Sequence, residues 1–313
     1  NTEIGIKNLT NLRIKFGADI WIHDLNINTV KKITKFTLSE FGNIYWPIIA
    51  GQTVYPVQMA IKYEIPLIIW GAHQGLEQVG MFSHLHNVEM SRRYREDHDL
   101  FGNDAREMKN IKSNLSENDI FNYLYPDDKL INKIGVRGIY LGNYIKWDPT
   151  KQHNLMVKKF NYRTMKFKRT FDVFDHVDCF NYMNVHDILK LNKHGYSKVT
   201  DHACREIRHG RLTKNNAIDL VNYYEKQKIE PPKHLADWLN IDLKSLNFIL
   251  NQFKNKKFWK QKNIDNWKFN GLNDNQIKNT SPENKKEITK YFKSKNKYSD
   301  ILDSKYIVFG KGI

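Results

Sequence analysis

Apolar and polar positions along the first half of the chain switch repeatedly between helical and strand periods. Thr2 to Lys15 carries Ile4, Leu9 and Leu12 at helical spacing, and Ala18 to Leu25 reads as a strand around Ile20 and Ile22. Asn28 is placed to cap a helix reaching about Phe41, Gly42 to Gly51 reads as a loop, and a helix follows over Gln52 to Tyr63. The chain then enters Leu67-Ile68-Ile69-Trp70, a wholly apolar run opened by Pro66 and closed by Gly71. That is the pattern of a central parallel strand buried on both faces.

Past Trp70 the side chains change at once, to Gly71, His73, Gln74, Gly75, Glu77 and Gln78. Open α/β sheets bind ligands outside the carboxyl ends of their strands, and a glycine there lets backbone come close to a ligand. The cluster is therefore a site candidate, with an ordinary solvated loop as its alternative. Met81 to His98 reads as a polar amphipathic helix, Ser116 as the cap of a short helix, and Asp127 to Ile134 as another closed by Gly135. A second strand over Gly138 to Ile145 delivers Asn143, Lys146, Trp147 and Asp148 to its end. Asp148 followed by Pro149 is also a strong helix start, which would by itself account for the carboxylate.

Beyond Thr150 the pattern is helical. Helices are expected over Asn181 to Lys193, stopped by Gly195, and over Thr200 to His209 from a Thr or Asp cap. Others are expected over Thr213 to Tyr224, after Pro231-Pro232, and over Asp242 to Phe253. Asp201, Arg205 and Arg208 stand at i, i+4 and i+7, so they share a helix face. Two guanidiniums on one face suit phosphate or carboxylate, while a surface Asp201–Arg205 ion pair is the plainer reading. The fold class is α/β, a partial Rossmann-like parallel sheet followed by a mostly helical C-terminal region. The divisions are 1–150, 151–260 and a Lys/Asn-rich tail over 261–313.

Charge adds one question. The net charge is +16, and residues 251–313 alone hold 15 Lys, no Arg and 6 acids, leaving +9 there. A basic stretch can mark nucleic acid, but lysine interleaved with asparagine reads as a solvated, compositionally biased tail, so a nucleic-acid partner is not expected. Two cysteines, Cys179 and Cys204, give neither a disulfide framework nor a metal pair, which suits a reducing compartment. The histidines, including His84 and His86, match no zinc spacing, so no metal held by protein side chains is expected. With no apolar run near membrane-spanning length and no signal peptide, the expectation is a cytoplasmic protein without a membrane partner. The sequence opens at Asn1 in what reads as the middle of a helix, and so reads as part of a longer product.

Four stretches together, IPLIIWGAHQGLEQVGMFSHL, GVRGIYLGNYIKWD, HVDCFNY and YSKVTDHACREIRHGRLTKNNAIDLV, resemble the N-acetyl sugar amidotransferase family. These are the flagellin- and O-antigen-modification proteins of the PseA and WbpG kind, and the resemblance runs from about Thr2 to Trp259. It implies an ATP pyrophosphatase with a HUP-type α/β domain over 1–150, related to asparagine, GMP and argininosuccinate synthetases. It further implies ATP and Mg²⁺ as cofactors, a nucleotide-linked N-acetyl sugar as substrate, and a glutaminase subunit supplying ammonia. The amide would be activated with release of pyrophosphate, and ammonia would then leave an acetamidine. The family's pyrophosphate loop uses adjacent glycines to form an anion nest. Here no two of the 16 glycines are adjacent, so the loop is expected upstream of residue 1.

Carried over by motif, the resemblance assigns Gly71, His73, Gln74 and Glu77 to nucleotide or sugar, with Trp147 and Asp148 at the second strand end. It assigns Asp201, Arg205 and Arg208 to the helical motif. Glu77 or Asp201 would position ammonia or Mg²⁺, and the arginines would meet pyrophosphate or the sugar's diphosphate. Two other functions compete: a tRNA-modifying ATP pyrophosphatase, which the basic tail would suit, and a non-catalytic remnant or scaffold for the glutaminase.

Overall fold

A computed structural model describes residues 2–71, 92, 100, 102–110, 114–141, 144–145, 147–229, 232–263 and 266–270. The fold is mixed and mostly helical, with a small parallel sheet and a helical C-terminal region, as the sequence pattern indicates. The chain forms two compact units. One draws on the ranges Asn1–Asp24, Thr34–Tyr45 and Asp148–Asn279, the other on Leu25–Ile33 and Trp46–Trp147. Among the described residues no helix is long and apolar enough to cross a membrane.

The unit holding the sheet is built on α3 (Trp46–Lys62), which buries Trp46, Ala50, Val54, Val57 and Ala60 along one stripe. Trp46 donates its indole N–H to the Asn103 carbonyl at 2.7 Å and lies against Tyr123 with ring centroids 5.4 Å apart. The helix starts inside the segment expected to be a loop, because Trp46-Pro47 supplies a buried aromatic and a proline at the first turn, where no N–H is needed. Next comes β1 (Leu67–Trp70), then the short helices α4 (Ala105–Asn110), α5 (Glu117–Ile120) and α6 (Asp128–Ile134). Ser116 caps α5 in a capping box with Asp119, while Asp127 and Gly135 bracket α6. The second strand, β2 (Arg137–Tyr140), pairs with β1 in parallel, Leu67 opposite Arg137 and Trp70 opposite Tyr140.

Strand β1 departs from expectation in one respect: it is not buried on both faces, for Leu67 and Ile69 are 46% and 59% exposed. Four apolar residues set the strand, but burial depends on what packs over each face. Strand β2 is also shorter than expected and ends at Tyr140.

In the other unit, α1 (Glu3–Phe16) begins at a Thr2 cap, whose hydroxyl accepts from Gly5 N at 3.0 Å. The helix therefore starts at Glu3. The strand expected over 18–25 is not formed: the segment is non-regular, and among the described residues no strand pairs with it. Helix α2 (Ile27–Phe41) begins one residue before Asn28, and the Asn26 side chain, not Asn28, accepts from the first-turn amides of Asn28 and Thr29. After α7 (Pro149–Phe160) come α8 (Phe180–His194), α9 (Lys198–Arg208) and α10 (Lys214–Glu225). Then α11 (Lys233–Leu239) and α12 (Leu243–Gln252) lead to a hairpin of β3 (Trp259–Gln261) and β4 (Trp267–Phe269), which the sequence pattern did not reveal. The α9–α10 pair packs through Val199, Ala203, Ala217 and Val221.

Of the helix expected over Met81 to His98, Arg92 alone is described, and it is helical.

Candidate functional site

Helix α9 organises the C-terminal unit, and it does so through polar side chains. Its cap is Ser197, so the Thr200 and Asp201 expected to start it lie in its first turn. Lys198, Asp201, His202, Arg205 and Glu206 are all buried, which is unusual for such residues and demands partners. Arg205 has three: Nη2 donates to Asp172 at 2.5 Å, Nε to Glu206 at 2.9 Å, and Nη1 to Asp175 at 3.4 Å. His202 joins the same cluster, Nε2 lying 3.1 Å from Asp175 Oδ2 and Nδ1 2.6 Å from Thr170 Oγ1. Asp172 is fixed in turn by its other oxygen, which accepts from the amides of Phe174 and Asp175, both at 2.8 Å. Burial raises the Asp175 carboxyl, but the hydrogen bond and charge of His202 outweigh it and hold Asp175 well below the ordinary carboxylate range. Arg211 extends the network by bonding Glu206 and donating to Asp148 Oδ2 at 2.7 Å. Glu206 is held down to about 2, burial being outweighed by Arg211 and Arg205.

Asp201 and Arg205 do not pair with each other, contrary to the plainer sequence reading. Asp201 Oδ2 bonds Lys190 of α8 and lies 3.9 Å from Lys198 Nζ, while Oδ1 is buried with no hydrogen-bond partner among the described residues. Arg205 faces its own three carboxylates, and Arg208 is exposed at the end of the helix. The i, i+4, i+7 spacing put the three on one side of a cylinder, but the elements packed there turned them to different partners. Asp148 caps α7 by accepting from Lys151 N at 3.2 Å, and also takes Arg211. Burial pushes its carboxyl up, yet Arg211 and the Lys151 amide win and hold it below the usual value.

In the other unit, Gly71 follows β1 directly and the indole of Trp147 rests on it. A Cβ at Gly71 would stand 2.9 Å from Trp147 Cη2. The structure thus brings together two of the residues assigned to nucleotide or sugar. His73, Gln74 and Glu77 lie outside the described residues.

Two further chemistries can be weighed. Asp172, Asp175 and His202 offer ligand atoms within 4.8 Å of one another, a grouping that local spacing could not show. Arg205 already lies on both carboxylates, so a cation there would have to displace a guanidinium. Cys179 Sγ lies 3.6 Å from His176 Nδ1, the geometry of a nucleophile and its base. Burial opposes that role, raising the thiol to about 11 and lowering the imidazole to about 4, so both are neutral near pH 7.

The residues that sequence reasoning missed, Asp172, Asp175, Glu206 and Arg211, sit in a charge network spanning the first half of the C-terminal unit. The one sequence signal for them is Asp172 and Asp175 at i, i+3 inside an aromatic stretch, TFDVFD.

Fold and site together describe a mixed α/β protein whose helical unit is held by buried charge. Residues 152–273 match the family described as LPS biosynthesis protein WbpG-like, C-terminal domain. That stretch takes in α8 to α12 and the β3–β4 hairpin. Comparison with curated proteins gives no match.

Proposed function

We propose that this protein acts in lipopolysaccharide or flagellin-glycan biosynthesis as an ATP-dependent amidotransferase. It would convert the N-acetyl group of a nucleotide-linked sugar to an acetamidino group, in the cytoplasm, with ammonia from a glutaminase partner. The observation that carries the reading is the match of residues 152–273 to the WbpG-like C-terminal domain. It covers two of the four resembling stretches, HVDCFNY and YSKVTDHACREIRHGRLTKNNAIDLV, and the parallel β1–β2 pair with Gly71 and Trp147 at its end supports an α/β domain of the HUP kind.

The chemistry needs an amide oxygen made into a leaving group. ATP, when bound, supplies that activation, and the protein's part is to align the amide and admit ammonia while excluding water. Gly71 and Trp147 fit a role in shaping that strand-end site: a bare backbone at 71 leaves room for the indole, whose Cη2 a Cβ there would meet at 2.9 Å. The Asp172–Asp175–His202 group does not fit Mg²⁺. That ion prefers oxygen ligands throughout, and Arg205 already neutralises the two carboxylates. Arg205 therefore acts here by holding α9 to the Asp172–Asp175 turn, a positioning role, while the diphosphate role implied by the resemblance falls to Arg208, at the exposed end of the helix.

The test is to incubate the full-length gene product with ATP, Mg²⁺, an ammonium salt and a nucleotide-linked N-acetyl sugar. The expected result is sugar-dependent pyrophosphate release with a product in which NH has replaced one oxygen, read by mass spectrometry. Pyrophosphate release that depends on tRNA instead, with binding that falls steeply with salt, would overturn this reading. So would no ATP turnover with any acceptor.

A further inference from the structure

A cavity of about 520 Å³ opens in the C-terminal unit among Phe167, Arg169, Phe180, Met183, Lys198 and Leu235. Most of its wall is apolar, and the charge it holds is lopsided. The Lys198 side chain is only 9% exposed, and its ammonium has one carboxylate neighbour among the described residues, Asp201 Oδ2 at 3.9 Å. That oxygen is already bonded to Lys190. The two carboxylates that line the cavity are committed as well. Asp187 accepts from Arg169 Nε at 2.9 Å and from the backbone N–H of Lys198 at 2.7 Å. Asp175 is held by His202 and Arg205.

Arg169 shows the same shortage. Its Nη1 donates to the carbonyls of Glu225 and Gln227, but Nη2 is buried with no hydrogen-bond partner among the described residues. Asp187 thus ties the Arg169 side chain to the backbone of Lys198, while the Lys198 ammonium itself has only the 3.9 Å contact with Asp201 among the described residues. Lys166 and Lys228 also line the cavity and add positive charge. A buried charge without a close partner is costly, and one standing at the wall of a cavity is explained by a ligand that supplies the counter-charge.

We propose that this cavity binds a small ligand carrying a phosphate or diphosphate group. The Lys198 ammonium takes a phosphate oxygen, Arg169, Lys166 and Lys228 on the same wall add positive charge, and the wall around Phe167, Phe180 and Met183 covers the uncharged part. A diphosphate has enough oxygens to meet several of these cations at once. The proposal does not depend on the amidotransferase reading, which assigns no group to this cavity. Two sources share the chemistry: free pyrophosphate and the diphosphate of a nucleotide-linked sugar.

The experiment is calorimetry and thermal unfolding of the full chain with pyrophosphate and, separately, with UDP-N-acetylglucosamine. Wild type should bind at least one probe and melt higher as its concentration rises. K198M should lose affinity roughly 10- to 100-fold, as expected for a charge-assisted hydrogen bond. It should melt close to wild type without ligand, since, among the described residues, the buried charge it removes has only the 3.9 Å contact with Asp201, which keeps Lys190. K198Q serves the same comparison if K198M does not fold, and R169K should weaken binding less than either. Lys198-dependent binding that is tighter for UDP-N-acetylglucosamine identifies a nucleotide-linked ligand; binding as tight for pyrophosphate alone identifies the free anion. No binding of either probe by wild type, or wild-type affinity in the Lys198 variants, overturns the proposal while leaving the turnover assay free to succeed. Lys198-dependent binding without turnover would sink the amidotransferase reading alone.

Discussion

Arg205 is the residue whose removal tests the charge network most directly. Truncation to alanine leaves Asp172 and Glu206 without the guanidinium, their side chains only 1% and 10% exposed. The loss is uneven. Glu206 keeps Arg211, and Asp175 keeps His202, but Asp172 loses its one ion-pair partner among the described residues and retains two backbone N–H groups on its other oxygen. Breaking a buried pair by removing one partner costs about 3–5 kcal/mol, and the surviving amides place R205A nearer 3. R205K should recover only part of this, because one ammonium cannot reach three carboxylates at once. The double variant D172N/R205M, which removes both ends of the closest pair, should be less destabilised than the sum of D172N and R205M. The assay is urea unfolding, with hydrogen exchange of the α9 amides to isolate the C-terminal unit from the other. An R205A protein within about 1 kcal/mol of wild type, or strict additivity in the double variant, would refute the claim that this network holds α9 in place.

The same unit should lose stability in mild acid. Burial, with Lys198 adding to it, lowers His176 to about 4 and His186 to about 3. Between the unfolded value near 6.5 and these folded values, the unfolded chain binds protons that the folded chain does not. Stability is therefore present above pH 6.5 and falls as pH drops toward 4, by roughly 3 kcal/mol for His176 alone. Because asparagine tolerates the positive φ of 61° at His176, H176N should flatten that slope, and an unchanged slope in urea melts across this range would count against it. At the end of α8, Gly195 has φ +74° and a Cβ there would meet the Phe258 ring at 2.5 Å; Gly17, at φ +59°, has nothing within 4 Å. Both alanine variants pay the left-handed penalty of about 1–2 kcal/mol, and G195A should cost about 1–3 kcal/mol more. Equal losses in denaturation midpoint would show that the ring yields.

What the sequence determined by itself is local. Ser116 and Asp148 before Pro149 cap their helices as read, Asp127, Thr213 and Asp242 turn out to cap the helices read as beginning at them, and Gly135 and Gly195 end theirs, because a cap bonds amides two or three residues away. The apolar run at Leu67 forms a strand for a similarly short-range reason, and its glycine leads into the candidate strand-end site. Tertiary structure decided everything that depended on a distant partner. Asp172 and Arg205 are 33 residues apart and Asp175 and His202 are 27 apart, so no helical or strand period relates them. The polar face of α9 looked solvated because its residues are charged; it is buried because α8 and the Asp172–Asp175 turn supply the opposite charges. The strand expected over 18–25 failed for the converse reason, since alternation proposes a strand but a neighbour must accept its hydrogen bonds. Local hydrogen bonds are written in neighbouring residues, whereas the pairing of buried charge is settled only when the chain has closed around it.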